Sequence, residues 1–248
     1  LQEGKKMRKL FVLCKRNFKE IVREPISLIF CFGFPIVMLV LLQALFANLP
    51  FTPENFRIER YAVGICIFGY AFISLFTAML FSGDKNSEFI NRLHMAPISK
   101  ATFLLSYVLS MLPIALVQTL LFFACALIFK LPFSVNILLA VLYLFPSALF
   151  YISLGVLCGV LAKNEKQAGP IGSIIISCST MLGGVFMPIE GMGAFSTAMQ
   201  LLPFAHTVDI AAGVFSGNLL CFLSHVLWVV GYLLLVWTII LLVYRQKK

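Results

Sequence analysis

The sequence predicts an all-α membrane protein with six transmembrane helices, an N-terminal amphipathic interfacial helix and an external re-entrant helical hairpin between spans five and six. Of its 248 residues, 61% are hydrophobic and only 12% are charged. A soluble domain has about 45–50% apolar and about 25% charged residues. The apolar residues also fall into runs of about 20, the helical length that crosses a hydrocarbon core. We therefore exclude a soluble globular fold and a disordered chain, and we expect residues 1–248 to form one transmembrane domain.

Six apolar runs are long enough, or nearly long enough, to cross a membrane, and the fifth is short. They are Ile26–Phe46, Tyr61–Phe81, Thr102–Phe129, Val135–Leu161, Pro170–Phe186 and Leu219–Tyr244. Six crossings put both termini on one side, and 16 of the 19 Lys and Arg residues flank the spans there. Basic residues concentrate on the cytoplasmic side of membrane proteins. The sequence thus predicts a multi-pass protein of the plasma (inner) membrane with both termini cytoplasmic.

The segment 7–24, before the first span, predicts a basic amphipathic helix that ends at Pro25 and lies in the membrane interface. Its apolar residues recur at spacings of three and four: Met7, Leu10, Phe11, Cys14, Phe18, Ile21 and Val22. Lys and Arg residues fill the positions between them. The alternative is that these charges act only as an orientation signal.

The cytoplasmic loop 84–96 predicts a short helix, capped by Asn86 or Ser87, that stops before Pro97. Glu88 and Arg92 have the favourable i,i+4 spacing, and Phe89 and Leu93 belong to an apolar side of the same helix. Apolar residues in such a loop indicate either a docking surface or a contact with lipid headgroups.

The external stretch 187–218 predicts two short helices that cannot span, Ala194–Leu202 and Phe204–Ala212, broken at Pro203. A seventh crossing here would place the basic C-terminus outside, against the charge bias.

Several kinds of chemistry are missing from the sequence. No G-x-x-x-x-G-K-[ST] motif is present, and the predicted spans contain no Asp, Glu, Lys or Arg. The seven cysteines are scattered without a C-x-x-C pair, so we predict no metal site. The basic residues flank the spans, so no nucleic-acid partner is expected. An intramembrane enzyme and a secondary transporter remain minor alternatives, with His225 the one ionisable residue inside a predicted span.

Two stretches carry a family resemblance. The cytoplasmic loop reads EFINRLHMAPISK from Glu88 to Lys100, and the external stretch reads GVFMPIEGM from Gly184 to Met192. With the six-span layout, they resemble the membrane (permease) subunit of an ABC type-2 exporter of the small drug and antibiotic efflux kind. Gly193 stands where that signature usually has proline, which weakens any assignment of subfamily and substrate.

The resemblance implies that this chain is not itself an enzyme and binds no cofactor. Two copies of a separate cytoplasmic ATPase would hold ATP and Mg, and a second permease chain would complete a homodimer or heterodimer in contact with membrane lipid. It implies a coupling helix at Glu88, Phe89, Arg92, Leu93 and His94. It also implies an external gate at Phe186, Pro188, Glu190 and Pro203.

Polar residues within the spans are candidates for lining a translocation path: Gln43, Tyr70, Ser74, Thr77, Ser173 and Ser177. The alternative is that these residues form hydrogen bonds between helices and do not line a path. A path lined mainly by Phe, Leu and small residues suits an amphipathic substrate such as a drug, antibiotic, peptide or lipid-like molecule. Export of a polysaccharide or lipid-linked glycan is the alternative within the same family. The small residues Gly169, Ser173 and Ser177 predict a packing face toward a partner chain or within the chain.

Overall fold

The computed structural model describes residues 2–46, 52–85, 87–88, 98–187, 193–215 and 219–246. Within these ranges every regular element is helical. The α-helices are α1 (Gln2–Val22), α2 (Pro25–Leu28), α3 (Phe34–Phe46), α4 (Ile58–Lys85), α5 (Lys100–Ile128), α6 (Val135–Tyr143), α7 (Phe145–Leu161), α8 (Glu165–Leu182), α9 (Ala194–Gln200), α10 (Pro203–Phe215) and α11 (Leu219–Gln246). The prediction of an all-α membrane protein is confirmed.

Five helical segments are long and apolar enough to cross a membrane, and they match five of the predicted spans. They are Pro25–Phe46, Ile58–Lys85, Lys100–Ile128, Val135–Leu161 and Leu223–Arg245. The first of them is α-helical at both ends and contains a π-helical turn, Ile29–Gly33, between α2 and α3. Such a turn widens the helix locally and often marks a functional position.

The fifth predicted span corresponds to α8, whose mean apolarity is lowered by the polar residues of its first turn, Glu165, Lys166 and Gln167. It nevertheless follows the whole length of α4. At one end the Glu165 carboxylate lies beside Gly83, and at the other Val185 packs on Gly64. The segment 165–185 therefore runs antiparallel to α4 between Gly83 and Gly64, although it is not among the five helices that are long and apolar enough to cross.

Helix α4 occupies the centre of the bundle, with α7 and α8 packed along it. The closest approach is at Gly155 of α7, where an added Cβ would lie 2.3 Å from the Ser74 carbonyl oxygen. Gly172 of α8 is nearly as close, since a Cβ there would lie 3.0 Å from the Leu75 Cα. Glycine at these positions lets neighbouring helix backbones approach closely.

The predicted helix at 7–24 is present as α1, but its buried face differs in part from the predicted apolar side. Leu13, Asn17 and Ile21 are buried, and α1 packs chiefly against α5. Met7 and Phe11, expected on one apolar face with Ile21, are 72% and 69% exposed. The helix therefore has two apolar sides, and only one of them is covered by protein.

The beginning and the end of the chain meet at the same end of the bundle. The Arg16 side chain reaches Asp84, and the Tyr244 ring lies 6.3 Å from the Phe81 ring near the last turn of α4. We call this the Asp84 end and the opposite one the Arg60 end. An even number of crossings accounts for this arrangement.

Candidate functional site at the two ends of the bundle

The first candidate site is a buried carboxylate at the Asp84 end. Asp84 is only 5% exposed and accepts both Nη groups of Arg16, with Nη2 at 2.6 Å from Oδ1. The Tyr107 hydroxyl donates to Oδ2 at 2.5 Å. A forked guanidinium pair is the strongest common form of charge-assisted hydrogen bond. This junction (Arg16, Asp84 and Tyr107) joins α1, α4 and α5.

Arg16 is held on a second side by its own helix. Its Nη2 lies 2.6 Å from a Glu20 oxygen, and Asn17 beside it donates to the Ser106 hydroxyl of α5 at 3.3 Å. Burial lowers the pKa of Arg16, but the hydrogen bonds and charge of Asp84 outweigh it, so the pKa is raised. Burial, followed by repulsion from Asp84, raises the pKa of Glu20. Arg16 therefore stays charged, while the raised pKa of Glu20 makes that carboxylate easier to protonate than an ordinary glutamate.

Lys85, the last residue of α4, extends the junction to α7. Its Nζ donates to the carbonyl oxygens of Val160 at 3.2 Å and Ala162 at 2.9 Å, at the end of α7. A cation is favourable there because the last carbonyls of a helix carry partial negative charge. Asp84 and Lys85 thus tie α4 to three other helices where the loop 84–96 begins.

The predicted coupling residues lie mostly outside the described part of the chain. Phe89, Arg92, Leu93 and His94 are among the residues that the structure does not describe, and Glu88 is exposed. Ser87, predicted as a possible cap for the loop helix, contacts the end of α4. Its hydroxyl donates to the Asp84 carbonyl at 2.7 Å.

Asp84 is not among the predicted site residues, because its position falls in the predicted loop after span two. The available signal was periodicity, since Thr77, Phe81 and Asp84 recur at spacings of four and three. All three are buried on α4. The carboxylate therefore continues the buried face of the helix by one more turn.

The second candidate site is the predicted hairpin at the Arg60 end, where α9 and α10 bend by 79°. Arg60 at the start of α4 donates from Nη2 to Asp209 Oδ1 at 3.1 Å. The Ser147 hydroxyl of α7 donates to the Thr207 carbonyl at 3.2 Å, and the Tyr232 hydroxyl of α11 donates to the Leu201 carbonyl at 2.7 Å. The hairpin thus packs onto the Arg60 end and turns back, as predicted for a re-entrant element.

A pair of histidines also joins the hairpin to α11. His206 Nδ1 lies 2.8 Å from His225 Nδ1, and the His206 ring stacks on Trp228 with 5.2 Å between centroids. One Nδ1 must carry a proton and the other must accept it, so at least one of the rings is neutral. The contact can persist with one proton added, but two protonated rings would repel each other.

Two adjoining cavities open beside this hairpin. The larger, about 1020 Å³, lies between the 52–60 segment, the end of α5, and α10 and α11; the smaller, about 420 Å³, lies beneath α9. Asp209 and His225 line both cavities. The charged residues of the larger one are Glu54, Arg57, Glu59, Arg60, Lys130 and Asp209. Among the described residues, no three His, Cys, Asp or Glu side chains are grouped to hold a metal ion.

Of the four predicted gate residues, the structure describes Phe186 and Pro203. Phe186 packs on α4, with its ring 5.4 Å from Phe68 and 6.3 Å from Tyr61. Pro203 is buried at the start of α10. Pro188 and Glu190 lie outside the described residues.

The predicted path residues are also separated. Tyr70, Ser74 and Thr77 are buried in α4, and the Tyr70 hydroxyl lies 2.5 Å from the Thr119 hydroxyl of α5. Gln43 donates to the Phe56 carbonyl at 2.9 Å and lines the larger cavity at the Arg60 end.

Ser173 and Ser177 lie on the exposed side of α8. Their hydroxyls donate to carbonyls of their own helix, Gly169 at 3.0 Å and Ser173 at 3.1 Å. They therefore share one face of α8, apart from the four other path candidates.

A row of aromatic rings along α4, which the sequence analysis did not single out, runs through most of the bundle. The rings contact one another at centroid distances of 4.5 to 6.5 Å. The members are Phe76, Phe30, Phe72, Phe34, Phe68, Phe186, Tyr61, Phe56 and Phe46. Phe30, near one end of the row, is 41% exposed.

Comparison with known proteins assigns the family. The family model described as ABC-2 type transporter matches residues 8–216, most of the chain. The chain belongs to the ABC-2 type transporter family. The resemblance based on the loop 88–100 and the stretch 184–192 is confirmed at this level.

Two relatives of this ABC-2 type transporter illustrate the range of the family. A protein of Cyanophora paradoxa named transport permease ycf38 is 29% identical over 216 residues, 86% of this chain and 61% of the relative. ABC transporter G family member 23 of Dictyostelium discoideum is 26% identical over 140 residues, 56% of this chain and 20% of the relative. The chain thus spans about three fifths of the first relative and one fifth of the second. Family membership establishes a multi-pass membrane protein with a general role in transport.

Proposed function

We propose that this chain is the permease subunit of an ATP-driven exporter that moves an amphipathic substrate out of the cytoplasm. A separate ATPase, in two copies, would hold ATP and Mg, and a second permease chain would complete the path. The termini would be cytoplasmic, in the plasma (inner) membrane. The observation that carries the proposal is the Asp84 junction, because it lies where the family's coupling loop begins.

The junction suits a mechanical role. A displacement of the loop 84–96 acts first on Asp84 and Lys85, which form the last turn of α4. Asp84 passes it to α1 and α5 through buried hydrogen bonds, and Lys85 passes it to the end of α7. Four helices would then respond together to an ATPase that pushes on this loop.

The aromatic row supports an amphipathic substrate over a strongly hydrated one. Its rings follow most of α4, where those of Tyr61, Phe68, Phe72 and Phe76 are buried, and the partly exposed Phe30 lies near its end toward Asp84. Aromatic faces favour apolar and cationic groups. The exposed Ser173 and Ser177 face of α8 is the surface that we assign to the second permease chain.

The proposal is tested by reconstituting the permease with and without its cognate ATPase. We expect ATP hydrolysis and movement of a fluorescent amphipathic dye only when both proteins are present. The permease alone should show neither activity under an imposed proton gradient. Gradient-driven dye movement by the permease alone would restore the secondary-transporter alternative.

A pair of variants tests the coupling surface separately. Phe89→Asp should reduce co-purification of the ATPase at least about tenfold, because an apolar anchor at an interface is replaced by an unpaired charge. Phe133→Asp is the matched control, since Phe133 is 89% exposed between α5 and α6, away from the loop. Equal co-purification of both variants would contradict the docking assignment.

A further inference from the structure

Helix α1 exposes an apolar stripe on the side turned away from α5. Met7 and Phe11 are 72% and 69% exposed, and Val22 is 44% exposed. Phe18, on the same line, is partly exposed and also packs against the edge of the core. The positions 7, 11, 18 and 22 are spaced by four and seven residues, so they fall on one line along a helix. This apolar stripe lies beside the buried line formed by Leu13, Asn17 and Ile21.

A second, basic stripe runs next to the apolar one. Arg8, Lys15, Lys19 and Arg23 are all exposed, and each follows a member of the apolar stripe by one or four residues. The carboxylates that pair with α1 lie on another side of the helix, since Asp84 of α4 and Glu20 of α1 itself both engage Arg16. The exposed surface of α1 therefore combines an apolar strip with a parallel row of positive charge.

The position of α1 identifies what such a surface meets. Helix α1 packs on the first turns of α5, where Asn17 of α1 donates to Ser106 of α5. Directly after α1, Pro25 starts the first span. The span continues with exposed apolar residues, Ile26 at 60% and Ile29 at 61%. The apolar stripe of α1 is thus adjacent to a surface suited to lipid.

We infer that this double stripe is a binding surface for anionic phospholipids. The apolar stripe would enter the boundary between headgroups and acyl chains, and the basic stripe would select negatively charged headgroups. A contact with lipid through the apolar stripe alone would show no preference for headgroup charge. The inference therefore goes beyond an interfacial position for the helix, and it does not depend on transport.

The experiment places one tryptophan on the apolar stripe of the full chain. The sequence has two tryptophans, so Phe11→Trp is made with Trp228→Phe and Trp237→Phe. The protein is reconstituted in phosphatidylcholine vesicles with 30% phosphatidylglycerol, and one lipid or the other carries brominated acyl chains. Bromine quenches a nearby indole, so quenching per brominated lipid reports which lipid surrounds position 11.

We expect brominated phosphatidylglycerol to quench at least about twofold more per molecule than brominated phosphatidylcholine. The ratio should fall toward one at about 1 M salt, where charges are screened within about 3 Å. It should also fall toward one in R8Q/K15Q/K19Q/R23Q, while phosphatidylcholine still quenches. In the matched control, Phe133→Trp in the same background, the ratio should be near one.

Two results would overturn the inference. Equal quenching by both lipids at position 11 would show that the basic stripe does not select headgroup charge. Absence of quenching by either lipid would show that the apolar stripe does not meet lipid. Both measurements use the permease without an ATPase, so either failure leaves the test of transport intact.

Discussion

Removing the two partners of the Arg16–Asp84 pair should have unequal effects. Arg16→Gln leaves Asp84, which is 5% exposed, as a buried carboxylate whose remaining side-chain donor among the described residues is Tyr107. Breaking a buried ion pair in this way costs about 3–5 kcal/mol. Asp84→Asn leaves Arg16 with Glu20 and with water, since the Arg16 side chain is 32% exposed. We expect that change to cost about 1.5–3 kcal/mol, the range for hydrogen bonds to a charged group.

The double variant separates the pair energy from the cost of a stranded charge. With both groups neutral no carboxylate is left buried, so Arg16→Gln with Asp84→Asn should cost less than the two single changes added together. A coupling of about 2 kcal/mol fits contacting residues in one network. Glu20→Gln is the matched control, because it removes a 44% exposed carboxylate from the same guanidinium. It should cost less than about 1 kcal/mol.

The pH dependence of the control has a definite sign. The pKa of Glu20 is raised in the folded protein, so the charged form of this residue is disfavoured by folding. The stabilising contribution is present below the unfolded pKa of Glu20 and is lost as pH rises through its folded value. In the Glu20→Gln variant the free energy of unfolding should therefore depend less on pH within that acidic range.

Hydrogen exchange of the α1 amides is the appropriate assay, with equilibrium unfolding in mixed micelles for comparison. The junction is the main polar attachment of α1 to α4, so its loss should open α1 locally before the whole bundle unfolds. Additive effects of Arg16→Gln and Asp84→Asn, or a larger cost for Asp84→Asn, would refute the reasoning. Protection of α1 unchanged in both variants would show that its packing on α5 alone holds it.

Three further predictions concern the rest of the bundle. Gly155→Ala should lower the free energy of unfolding by about 2 kcal/mol or more, because the new Cβ meets a backbone carbonyl of α4. Gly231→Ala is the control and should leave the free energy of unfolding unchanged, because the space around Gly231 is open. In a cysteine-free background, an impermeant thiol reagent should label Thr197→Cys from outside and Lys166→Cys only after the membrane is opened, and same-side labelling would contradict the topology. Trp237→Phe leaves Trp228 as the one tryptophan, and the His206 ring stacks on it. Acidification should change the fluorescence of Trp228 as His206 gains a proton, and His206→Phe should remove that pH response.

The sequence predicted the helices well because membrane spans are set by length and apolarity. The five apolar spans and the interfacial helix depend on composition and periodicity, both of which are local properties. The fifth span was predicted at Pro170–Phe186, and α8 begins five residues earlier, since Asn164 caps it by accepting from the Gln167 amide. Composition cannot show that a helix with a polar first turn packs along α4, because that depends on contacts between distant segments.

The candidate sites were less predictable because they depend on contacts between distant segments. Asp84 and Arg16 are 68 residues apart, and nothing local distinguishes this aspartate from a solvated loop residue. The six path residues were selected by polarity alone. Tertiary packing then divided them between the buried side of α4, the exposed face of α8 and the Arg60 end. The histidine pair was likewise hidden, because His206 and His225 belong to different helices.

The ion pairs at the two ends of α4 differ in burial and therefore in strength. Asp84 and Arg60 are 24 residues apart, roughly 36 Å along one continuous helix. At Asp84 the ion pair is buried, so its rupture costs several kcal/mol. At Arg60 both partners are 31% exposed, and a pair of that kind contributes about 1 kcal/mol or less. If the proposed ATPase pushes on the loop after Lys85, we therefore expect α1 to move together with α4, and the Arg60–Asp209 pair to break before the Arg16–Asp84 pair.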